Sequence, residues 1–179
     1  VINVVMFVVE GYAGWHAGSV ALQADALDFF GDSASYAIAL WAVGRPLKDR
    51  AYVALAKGIF MGLFGLWVFG NVIWRYMAET VPSAYVMGTI GILAFVANLV
   101  SAFLLFKFRE GDSNMKAVWV CSRNDAIGNL GVIIAATGVF AFSTGLPDLI
   151  VGSLMGGLAL WGATQVIRHA LEDMKKARS

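Results

Sequence analysis

Six apolar runs, separated by short polar breaks, most constrain what this chain can fold into. They lie near Val1–Tyr12, Val20–Val43, Tyr52–Trp74, Ala84–Phe106, Ala117–Phe142 and Leu149–Ile167. The hydrocarbon core of a bilayer takes roughly 20 residues of helix to cross. The pattern therefore predicts an all-α integral membrane protein, a six-transmembrane-helix bundle forming one domain over residues 1–179. Pro46, Pro82 and Pro147 all fall in the breaks, where a missing backbone donor costs no helix. Only 14% of the residues are charged, against about a quarter in a soluble domain. Mean hydropathy is +0.73. The first run is short and begins at Val1 without a methionine, so the first helix is expected to be N-terminally truncated. Because the chain stops at Ser179, soon after the sixth run, no cytoplasmic C-terminal domain is expected.

Charge placement sets an orientation. Arg45, Lys48, Arg50, Lys107, Arg109, Lys116, Arg168, Lys175, Lys176 and Arg178 fall on one side of the predicted bundle. The opposite breaks hold Arg75 alone. Basic residues concentrate on the cytoplasmic side, so both termini are read as cytoplasmic, with the plasma membrane as the default location. The formal net charge of +1, without a basic run interleaved with aromatics, gives no reason to expect a nucleic-acid partner. The single cysteine, Cys121, cannot form an intrachain disulfide.

The polar residues within the runs carry the chemistry. Ala24–Ser33 places Asp25, Asp28 and Asp32 within one predicted span. A carboxylate at the bilayer centre costs roughly 2.5–3.5 kcal/mol on insertion scales, so such residues need a partner or a task. Asp28 and Asp32 are four apart and share a helix face. Two carboxylates that close repel one another unless a proton or a cation lies between them. A divalent cation that exchanges with protons satisfies both conditions.

The fifth run supplies a second set: Cys121, Asp125 and Asn129, again spaced by four. Thiolate, carboxylate and amide oxygen all ligate metals, and a thiolate beside carboxylates suits Zn²⁺ or Cd²⁺ better than Mg²⁺ or Ca²⁺. If the two faces pack together, Asp28, Asp32 and Asp125 converge with Cys121 or Asn129 as a fourth ligand. Metal loading would then expel protons.

Two stretches resemble the signatures of the cation diffusion facilitator, or cation efflux, family. One is Ser19–Asp32, containing Ala-Asp25-Ala-Leu-Asp28-Phe-Phe-Gly-Asp32. The other is Asn124–Ala136, opening Asn124-Asp125-Ala-Ile-Gly-Asn129. Leu146-Pro-Asp148-Leu-Ile-Val-Gly152 is similar to the start of that family's sixth helix. The resemblance implies six spans with cytoplasmic termini, and a site built from Asp28, Asp32, Cys121 and Asp125. It implies export of divalent metal, commonly zinc, in exchange for protons, by a homodimer and not by an enzyme. The chain departs from the pattern at Asp28 and Cys121, where many zinc exporters carry histidine. It also has no histidine-rich loop, and Lys107–Lys116 contains no histidine.

Other readings compete with these. The acids could pair with Lys57 or Arg123. Asp25, three residues before Asp28, reads as structural, and Cys121 alone would be an ordinary buried thiol. Glu10 and Asn3 share a face of the first span and, with Asn98, read as interhelical polar contacts. His16 and His169 read as interfacial. Gly58-x-x-x-Gly62 and Gly152-x-x-x-Gly156 read as close-packing faces, within one subunit or between two. At the level of function, a structural or sensing metal site is one rival. An intramembrane aspartyl protease is a remote one, since the Gly-x-Gly-Asp pattern lacks its first glycine at Phe29-Phe30-Gly31-Asp32.

Overall fold

The computed structural model describes residues 1–41, 44–106 and 113–177, without the side chains of residues 39, 105 and 113–123. Six α-helices follow in chain order: α1 Ile2–Ala17, α2 Val20–Trp41, α3 Leu47–Met77, α4 Ala84–Phe106, α5 Ser113–Phe142 and α6 Leu146–Lys176. Among the described residues α3, Ala84–Leu104, Asn124–Phe142 and α6 are long and apolar enough to cross a membrane. The first two helices fall short for identifiable reasons. α1 has 16 residues, and α2 carries three aspartates.

The fourth helix matches its apolar run end to end. The third and sixth outrun theirs, because a helix continues beyond the bilayer where polar residues support it. Arg168 and Glu172 pair at 3.3 Å, and Lys176 and Asp173 at 3.6 Å, on the last turns of α6. α1 reaches Ala17, five residues beyond its predicted end. There Gly18 turns the chain at φ +70, and its backbone N–H bonds back to the helix end. A Cβ at Gly18 would lie 2.6 Å from Arg75 Nη1, so glycine is required for both conformation and space.

α3 packs chiefly on α6, α4 on α5 and α1 on α2. α2 also touches every other helix and forms the axis of the bundle. Its residues from Val20 to Leu27, and Ser19 just before them, are buried without a break. Val20, Ala21, Leu22 and Ala24 join Val68, Met87, Val132 and Met155 in one apolar core. The outside is as apolar as the inside: Leu63, Phe103, Ile134 and Leu158 are all exposed, as a surface solvated by lipid requires.

The glycine pairs work between helices of this chain. A Cβ on Gly58 would meet Ile167 Cγ1 at 2.7 Å, and one on Gly156 would meet Val68 Cγ1 at 3.3 Å, so both serve the α3–α6 crossing. Gly152 faces Val20 and Ala21 of α2. Small residues let backbones approach where lipid provides no hydrophobic drive between helices.

Candidate metal centre

The central helix carries Asp25, Asp28 and Asp32 along one face, at i, i+3 and i+7, and they have different surroundings. Asp28 and Asp32 are half-buried, whereas Asp25 is 1% exposed. Asp125, half-buried on α5, lies within hydrogen-bonding reach of Asp32. Asn3 Nδ2 of α1 donates to Asp32 Oδ2 at 3.2 Å, which resolves the polar face of the first helix into a direct contact with the site. Tyr36, one turn beyond Asp32, also bonds to it.

Asp28 and Asp125 line one cavity of about 300 Å³, together with Met61 of α3, Asn124 and Gly128 of α5 and Met155 of α6. The opening therefore lies where α2, α3, α5 and α6 meet. Asp28, Asp32 and Asp125 act on one another electrostatically. In this conformation they are grouped but not closed: among the described residues no three His, Cys, Asp or Glu side chains form a ready metal-binding set. Cys121 lies one turn before Asp125 on α5, and its side chain is outside the described residues. Arg123, one of the cations considered as a partner for the acids, is likewise outside them.

The neighbouring network involves Asn129. Its Nδ2 donates to Asp25 Oδ2 at 2.6 Å, and its Oδ1 accepts from Asn98 Nδ2 at 3.0 Å. Both ends of the amide are thus committed inside the bundle, and Asn129 is fully buried. In this structure the Asn129 amide joins Asn98 to Asp25. Glu10 of α1, 0% exposed, lies beside Asp25. Neither Glu10 oxygen receives a hydrogen-bond donor. Glu10, Asp25, Asn98 and Asn129 thus join α1, α2, α4 and α5 through one polar layer. The four-residue spacing that suggested Asn129 as a ligand could not show which neighbour its amide would meet.

Asp148 is the polar residue whose role the sequence reading missed. It opens α6 and takes the Ser19 hydroxyl at 2.6 Å, Val20 N–H at 2.8 Å and Ala21 N–H at 3.0 Å. Ser19 Oγ in turn accepts from Leu22 N–H at 3.1 Å. The buried start of α2 is capped by a carboxylate from another helix, which secures the depth of the acid-bearing segment. His16, in the last turn of α1, and His169, two turns before the end of α6, are both exposed.

A family model described as the cation efflux transmembrane domain matches residues 1–174. The chain is 27% identical to a zinc transporter ZitB of Yersinia pestis, over 97% of this chain and 60% of that protein. Identity to the zinc transporter ZitB of Escherichia coli is 26%, over 93% of this chain and 57% of that protein. A cadmium, cobalt and zinc/H(+)-K(+) antiporter of Bacillus subtilis is 23% identical, over 92% of this chain and 57% of that protein. The chain spans about three fifths of the length of these curated relatives. With six helices, acids facing one another from the second and fifth, and a family match along almost the whole chain, it belongs to the cation efflux family.

Proposed function

We propose that the protein exports a divalent metal cation, Zn²⁺ first and Cd²⁺ second, in exchange for protons. The observation that carries this reading is the meeting of Asp32 and Asp125 from two helices, with Asp28 in the same cavity as Asp125. The ligand set is Asp28, Asp32, Asp125 and Cys121, with Asn129 behind them. Three carboxylates and a thiolate match the four-coordinate preference of Zn²⁺.

The mechanism is competition for those ligands. Carboxylate and thiolate bind metal only when deprotonated, so a neutral compartment loads metal and an acidic one releases it. Each proton displaced makes apparent affinity rise about tenfold per pH unit, with tighter binding at higher pH. Alternate opening of the cavity to the two sides would complete the antiport cycle. The cytoplasmic assignment of both termini rests on the distribution of basic residues, with the plasma membrane as location and a homodimer as assembly. No enzymatic role is assigned. A protease dyad would also join two aspartates, but Asp28 as a third acid beside Asp32 and Asp125, and transporters as relatives, support transport instead.

The test is Zn²⁺ flux in proteoliposomes under an imposed pH gradient, wild type beside Asp28→Asn and Asp125→Asn. Gradient-driven flux in the wild type, lost in both inserted variants, is the expected result. Unaltered flux in either variant would remove the shared site, and tight binding without flux in the wild type would make the metal structural or sensing.

A further inference from the structure

A lysine stands beside the acids on the third helix. Lys57, half-buried, donates from Nζ to Ser35 Oγ. Ser35 lies three residues after Asp32 on the same face of α2, and its hydroxyl donates to the Gly31 carbonyl at 2.8 Å. The Lys57 charge is felt at Asp32. Met61, one turn further along α3, lines the cavity that holds Asp28 and Asp125. Lys57 itself lines a separate cavity of about 360 Å³ with Ser35, Arg50, His169 and Asp173, between α2, α3 and α6. Its ammonium thus sits at that second cavity, on Ser35, within electrostatic reach of Asp32.

We propose that Lys57 is a tethered counter-cation of the metal site, held by Ser35 beside Asp32 and competing electrostatically with the divalent cargo. The inference rests on the metal-site reading above and adds a component to it. Three carboxylates and a thiolate around a divalent ion leave two net negative charges, and Lys57 offsets one of them. Without cargo, the same ammonium offsets part of the acids' mutual repulsion. A fixed positive charge so near also weakens the hold on a second cation, which favours release. Asp173, half-buried like Lys57, pairs with Lys176 at 3.6 Å, and the other charged or titratable groups around the second cavity, Arg50 and His169, are exposed. Water and salt screen them more effectively, so Lys57 dominates the effect on the site.

Titration calorimetry of Zn²⁺ into purified protein at fixed pH tests this, with Asp125→Asn run alongside. Lys57→Met should tighten Zn²⁺ binding by about tenfold or more, while Lys57→Arg stays near the wild type. In proteoliposomes Lys57→Met should lower both KM and kcat, as tighter binding slows release. A lost packing contact would produce neither the tightening nor the rescue by arginine. Unchanged or weaker binding in folded Lys57→Met overturns the role of the lysine while leaving the metal site standing. A wild type that binds no Zn²⁺ overturns the site itself. If Lys57→Met does not fold, Ser35→Ala gives the opposite sign: the untethered ammonium can approach Asp32 and should weaken Zn²⁺ binding. Tighter or unchanged binding there would overturn the inference.

Discussion

Ser19 and Asp148, 129 residues apart, are joined by a 2.6 Å hydrogen bond that locks the start of α6 onto the start of α2. Both residues are buried, and between them they satisfy the first three N–H groups of α2. Asp148→Ala removes three acceptor contacts and leaves buried donors unpaired. A stability loss of about 3 kcal/mol is expected, with about 1 kcal/mol for Ser19→Ala, which loses the local cap. Thermal unfolding in detergent micelles measures both. Equal, negligible losses would mean that α2 is held by packing alone.

Asn129 separates holding a site from being part of it. In Asn129→Leu the Asn98 amide and the Asp25 carboxyl lose their shared partner. Unfolding stability should fall by about 3 kcal/mol, while Zn²⁺ affinity of the folded fraction falls by about 10–100-fold and is not abolished. Asp125→Asn should show the reverse pattern: modest change in stability and loss of Zn²⁺ binding. If Asn129→Leu abolishes binding as completely as Asp125→Asn, its amide belongs to the ligand set.

Close approach of α2 and α6 depends on one hydrogen atom in place of a methyl. A Cβ at Gly152 would lie 3.0 Å from Ala21 N, from the Val20 carbonyl carbon and from Val20 Cβ. Gly152→Ala must therefore separate two backbones, and the expected loss of stability is about 2 kcal/mol. Gly70→Ala is the control, since nothing lies within 4 Å of its added carbon. It should stabilise α3 by about 0.5–1 kcal/mol. Paired unfolding measurements on the two variants decide whether the α2–α6 crossing is as tight as the geometry requires.

Much of the fold was legible because lipid imposes a simple rule on sequence. The run Ala84–Phe106 is α4 to the residue, since an apolar helix bounded by polar breaks has few alternatives. Asp28, Asp32 and Asp125 were legible as a group for the same reason: charge in an apolar span is costly enough to need explanation. Asp25, three residues before Asp28, read as structural, and spacing could not show that its carboxylate meets the Asn129 amide. The lone thiol at Cys121 offered its register with Asp125 and nothing more.

The sequence by itself determined six helices, their approximate limits and the three acids that face one another, because bilayer thickness and helical period act on residues close in the chain. Tertiary structure alone decided which acid meets which partner. Asp32 turns toward Asp125 and Asn3, Asp25 toward Asn129 and Glu10, and Asp148 toward Ser19. These choices depend on the rotation and depth of each helix against its neighbours. Close glycine crossings and buried hydrogen bonds between distant residues set both, and neither leaves a periodic trace along the chain.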